Sequence, residues 1–69
     1  MKLSARNVLE GTVAEIKKGA VNSEVTLKLK GGATVVSIIT NGAVENLGLK
    51  KGMAAYAVIK ASSVMIGVE

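Results

Sequence analysis

Two short stretches, "SARN" at residues 4–7 and "KASS" at residues 60–63, hold the side chains best suited to chemistry in this 69-residue chain. Arg6 is the only arginine among nine basic residues, and it is framed by Ser4 and Asn7 instead of by an acid. Lys60 stands in the same way before Ala61, Ser62 and Ser63. Each stretch combines a charged donor, hydroxyl donors and an alanine too small to shield a backbone N–H, and neither contains a carboxylate. Such a donor set suits a tetrahedral oxyanion. Desolvating a dianion is costly, so nearly every oxygen must receive hydrogen bonds in exchange. Charge-assisted bonds contribute about 1.5–3 kcal/mol each and micromolar affinity needs about 8 kcal/mol net, so a shell of about six or seven donors suffices. A donor-only shell also selects against an anion that carries a proton, such as hydrogen phosphate, because that proton needs an acceptor. Taken singly, each four-residue string also reads as an ordinary polar turn.

The rest of the inventory excludes other chemistries. General acid–base and nucleophilic catalysis need a base in reach of a reacting group, and the chain has no His and no Cys. Its five acids, Glu10, Glu15, Glu24, Glu45 and Glu69, are spread along the sequence, so no enzyme, no catalytic cofactor and no site for a bare metal cation are expected. Single-stranded nucleic acid is bound by stacking bases on aromatic side chains, and Tyr56 is the sole aromatic residue. A nucleic-acid binder is therefore the weakest of the readings. The net charge of +4 comes from scattered lysines and biases the chain toward small anions. With neither an apolar leader segment nor a run near 18 apolar residues, a cytoplasmic protein with no membrane partner is expected.

The elements that must position these stretches follow from periodicity. Residues 21–30 alternate, with Val21, Ser23, Val25, Leu27 and Leu29 on one face. A Gly31-Gly32 turn then leads into "ATVVSIIT", a β-branched run expected to be buried on both faces, with Ser37 needing a partner inside it. Residues 6–18 read as a longer strand whose apolar register slips, which predicts a bulge or bend at Gly11. Thr40 or Asn41 is a natural N-cap, Val44 and Leu47 are at helical spacing, and Gly48 is placed to end the helix. "MAAYAVI" and "VMIGV" read as fourth and fifth strands on either side of the "KASS" connection. This order, with a short helix between the third and fourth strands, predicts an all-β, five-stranded, OB-like Greek-key barrel, a single domain over residues 1–69. A core this small is marginal, and without disulfides or a structural metal the expected support is association with further copies.

The stretches "SARNVLEGTV", "KKGAVNSEV", "VVSIIT", "GLKKG" and "VIKASSVMIG" resemble the molbindins, the small molybdenum-binding Mop proteins, over essentially the whole chain. The resemblance implies a hexamer arranged as a trimer of dimers that binds molybdate or tungstate at subunit interfaces, with sulfate excluded by pocket size. It implies storage or buffering of molybdenum; the alternative is a sensing module that passes the oxyanion to a partner protein. Carried over by motif, Ser4, Ala5 and Arg6 give hydroxyl, amide and guanidinium contacts, and Lys60, Ala61 and Ser62 complete the pocket. Thr40, with Ser37 or the neighbouring backbone, reaches in from a second subunit. Gly19 and Ala20 are candidates for a second class of site near a symmetry axis. Asn7 is a weaker ligand candidate, and holding the motif's shape is its alternative role.

Overall fold

In the computed structural model, which describes all 69 residues, alternation and turn chemistry produce four antiparallel strands and one short helix. They run β1 (Asn7–Lys18), β2 (Asn22–Leu29), β3 (Thr34–Thr40), α1 (Asn41–Leu47) and β4 (Ala54–Ile59), followed by a 3-10 turn at Ala61–Ser63. The strands form one curled sheet in the order β3-β2-β1-β4. β1 is long because it serves two neighbours. Its first half, Asn7 to Thr12, pairs with β4, and its second half, Gly11 to Lys18, pairs with β2.

The register slip lies at Ala14, not at Gly11. Val13 pairs with Leu27 and Glu15 with Thr26, so Ala14 is the extra residue of a bulge. The carbonyl and N–H of Val13 are meanwhile taken up by Gly52 and Met53, in the loop before β4. Gly11 has a different role. It sits where β1 changes partners, and a Cβ there would lie 2.6 Å from the Lys28 carbonyl oxygen.

Ser23, Val25 and Leu27 of β2 are buried, as alternation requires, and the core cluster is completed by Val13 and Ala57. Val21 stays outside it, exposed in the turn that precedes β2. β3 is not buried on both faces: Val36 and Ile38 are exposed, while Val35, Ser37 and Ile39 are half-buried. The reason is its place at the edge of the sheet, where one chain supplies nothing to cover the outer face. In α1 the Thr40 hydroxyl accepts from the Ala43 N–H at 3.0 Å. Gly48 closes the helix in the left-handed region at φ 63°, and the Leu49 N–H turns back to the Val44 carbonyl. That closure changes which leucine packs. Leu49 meets the core beside Val44, whereas Leu47 is exposed.

The fifth strand expected over residues 64–68 is not formed within the chain. After the 3-10 turn the segment leaves the sheet, with Met65, Ile66 and Val68 exposed at 92%, 88% and 94%. The chain consequently exposes 5454 Å², whereas a compact monomer of this mass would expose about 4,000 Å². No helix is long and apolar enough to cross a membrane.

Candidate oxyanion site

The β1–β4 ladder brings the two donor stretches together. Asn7 pairs with Ile59, so Ser4–Arg6 enter and Lys60–Ser62 leave at the same end of the sheet although they are more than fifty residues apart in sequence. The Asn7 Nδ2 donates to the Ile59 carbonyl oxygen at 3.2 Å across this junction. Arg6 and Lys60 are exposed, and neither takes part in an ion pair, since the two in the chain join Lys17 to Glu15 and Lys30 to Glu10. Both positive charges are therefore free to meet an anion.

The backbone adds donors. The 3-10 turn closes by the Ser63 N–H to the Lys60 carbonyl at 2.8 Å and the Val64 N–H to the Ala61 carbonyl at 3.3 Å. As in any helical first turn, the leading N–H groups, here those of Ala61 and Ser62, have no intrahelical acceptor. Lys60 caps the turn in extended backbone without a side-chain hydrogen bond, which leaves its ammonium uncommitted. The arrangement offers guanidinium, ammonium, hydroxyl and amide donors without a carboxylate among them, and it can accept a small, fully deprotonated oxyanion.

Ser37 and Thr40 are not part of this cluster in one chain. Thr40 pairs with Asn22, and the neighbouring Ser23 pairs with Lys18, at the far end of β1 from Asn7. Eleven strand steps separate the two ends, about 36 Å along the strand. Ser37 is half-buried opposite Val25, and its hydroxyl has no partner within the chain. Thr40 does share its end of the sheet with Gly19 and Ala20. The link is a network that residue patterns alone did not single out. The Ser23 hydroxyl, 2% exposed, donates to the Asn41 Oδ1 at 2.5 Å, and the Asn41 Nδ2 donates to the Gly19 carbonyl at 2.9 Å. The Asn41 N–H also reaches the Val21 carbonyl. One signal was legible: Ser23 occupies an apolar-face position in an otherwise regular alternation.

Two surface depressions lie elsewhere, one lined by Thr40, Gly42, Ala43, Glu45 and Asn46, the other by residues around Glu10 and Lys30. Both include a carboxylate. At the second, the Glu10 carboxylate 2.9 Å away, by hydrogen bond and by charge, holds the Lys30 ammonium above its ordinary range.

The curled four-stranded sheet with one short helix places the chain among compact all-β domains. Residues 3–66 match the TOBE domain family, and the chain belongs to that family and, within it, to the Mop proteins. The probable molybdenum-pterin-binding protein of Haemophilus influenzae is 49% identical over 69 residues, covering 100% of both chains. MopII from Clostridium pasteurianum superposes with a TM-score of 0.92 at 46% identity, covering 97% of this chain and 100% of that one. The cytoplasmic molybdate-binding protein ModG, solved with molybdate bound, gives a TM-score of 0.95 at 58% identity, and this chain spans 49% of its length.

Proposed function

We propose that this chain is a non-catalytic molybdate-binding protein, taking tungstate as a near-equivalent ligand, that stores or buffers the oxyanion in the cytoplasm. The observation that supports the reading is the Asn7–Ile59 register, which brings the chain on either side of it, residues 4–6 and 60–62, to one end of the sheet; on this reading their donors act together as one carboxylate-free shell. The name of ModG, solved with molybdate bound, supports molybdate as the anion, and the name of the H. influenzae relative supports molybdenum as the element. The Arg6 fork meets two oxygens of the ligand, Lys60 adds a point charge, and the hydroxyls and amides complete the shell.

Assembly supplies what one chain lacks. The excess exposed surface of about 1,400 Å² is more than the roughly 800 Å² each partner buries in a standard interface. The open edges of β3 and β4 and the apolar segment Val64–Val68 are mutually suited, so the segment forms the fifth strand on an edge of a second copy. The resulting assembly is the hexamer, a trimer of dimers. Because Thr40 and Ser37 lie at the opposite end of the sheet, they complete the pocket only from a neighbouring subunit. Gly19 and Ala20, tied to the same end by Asn41, form the second class of site.

Isothermal titration with molybdate, then sulfate and phosphate, alongside the mass in solution, tests the proposal. Saturable molybdate binding to a hexamer with phosphate and sulfate silent is the expected result. A folded hexamer that takes up no molybdate would overturn it.

A further inference from the structure

The end of the sheet that carries the donor cluster is held by very little. Asn7 and Ile59 form the terminal rung of the β1–β4 ladder. Beyond it, residues 1–6 make no hydrogen bond, and the Lys60–Ser63 turn is closed only on itself. The one side-chain tie across the junction is the carboxamide of Asn7 on the Ile59 carbonyl, spanning 52 positions in sequence. Asn7 is half-buried, whereas Ser4, Arg6, Lys60 and Ser62 around it are exposed.

We propose that Asn7 is a positioning residue of the oxyanion site: its carboxamide fixes the Ile59 carbonyl, and with it the direction in which the Lys60–Ser63 turn leaves the sheet relative to Arg6, without touching the ligand. The inference rests on the oxyanion reading above. The chemistry explains the residue type. The position must donate to a carbonyl while adding no negative charge beside a cluster that has to accept an anion. Aspartate has the same shape, but its carboxylate turns an acceptor toward an acceptor and repels the ligand. A second lysine or arginine would donate, but on a long arm that competes for the anion itself. The neutral amide meets both conditions. Misplacement of donors by even 1 Å is costly in sites of this kind, so a tie that contributes little to folding contributes disproportionately to binding.

The test uses Asn7→Leu, which keeps the volume and removes the donor, and Asn7→Asp, which keeps the shape and adds a charge. Wild type and Arg6→Ala are measured in parallel. Three quantities are recorded for each protein: molybdate affinity at fixed ionic strength, melting temperature without ligand, and hydrogen exchange at the Ser63 and Val64 amides without ligand. Asn7→Leu should weaken molybdate about tenfold and Asn7→Asp about a hundredfold or more, with melting temperatures within about 3 °C of wild type. Exchange at Ser63 and Val64 should quicken in both variants, a readout independent of any ligand. Wild-type affinity and wild-type exchange in Asn7→Leu would overturn the positioning role while leaving the oxyanion reading intact. Affinity lost only in step with unfolding would likewise assign Asn7 to the fold alone. A wild type that does not bind molybdate would remove the oxyanion reading and the positioning role with it.

Discussion

Ile66→Asp separates folding of the chain from its assembly. In the single chain Ile66 is 88% exposed, so an aspartate there removes no contact within the subunit. In the proposed assembly the side chain becomes part of a paired strand. If it is then covered as Val25 is, at 3% exposure, most of the 1.5–3 kcal/mol that full burial of such a side chain contributes is realised at the interface. Aspartate forfeits that and adds the cost of desolvating a carboxylate, so about 2–4 kcal/mol is lost per tail. An isologous dimer exchanges two tails, which gives at least about 4 kcal/mol and a roughly thousandfold weaker association. Sedimentation or light scattering over a concentration series reads this directly. Wild type should keep its assembled mass at concentrations where the variant is monomeric, and only the wild-type melting temperature should rise with protein concentration. A variant that holds the wild-type mass at low micromolar concentration would refute the proposal that Val64–Val68 is the interface strand.

Other perturbations address the site and the fold separately. Arg6→Ala should weaken molybdate by at least tenfold, since a charge-assisted bond contributes about 1.5–3 kcal/mol, and should leave the mass and melting profile unchanged because Arg6 is exposed and unpaired; titration and scattering on one preparation check both. Asn41→Leu strips the acceptor from the buried Ser23 hydroxyl and the tie to Gly19, and should cost about 1–3 kcal/mol in urea unfolding. Glu10→Gln should return the Lys30 ammonium to its ordinary range in an NMR titration. Because the folded value is raised, the pair's small contribution to stability is present below the unfolded lysine value and is lost as pH rises through the folded one, and salt should weaken it wherever both groups are charged.

The parts of the fold that were legible are those set by local chemistry. Alternation through Ser23, Val25 and Leu27 located β2, and the Thr40 cap with Gly48 bounded the helix to within a residue. What was not legible depends on neighbours. Val36 and Ile38 look like core residues because β-branched side chains at successive positions suggest cover on both faces, yet burial depends on what lies opposite, and β3 is an edge. The slip in β1 was visible as a change of parity, but Gly11 drew attention as a glycine while the extra residue is Ala14. Gly11 is demanded instead by the closeness of the Lys28 carbonyl, a contact between segments far apart in sequence. For the site, residue types alone made the two stretches candidates, and the strand register was needed to place them side by side. The Asn41 network is not legible in the sequence because an asparagine next to an N-cap has an ordinary local explanation.

The geometry of β1 argues for the proposed assembly. The strand carries the donor cluster at its Asn7 end, while the turn and helix cap that hold Gly19 and Thr40 stand near its Lys18 end. A 69-residue chain cannot fold those ends onto one another, because the sheet between them is the fold. In the proposed hexamer the ends of different subunits meet, which on this reading closes the pocket, covers the exposed Val36 and Ile38, and gives residues 64–68 an edge to join. The proposed assembly also brings together chains that each carry a net +4. Like charges held close are unfavourable unless something neutralises them. A dianion bound between subunits, as proposed, would do so, and the ligand would then be a counter-ion of the assembly as well as its cargo. Binding and assembly are then linked by mass action: whatever favours the hexamer raises affinity, and the oxyanion in turn favours the hexamer.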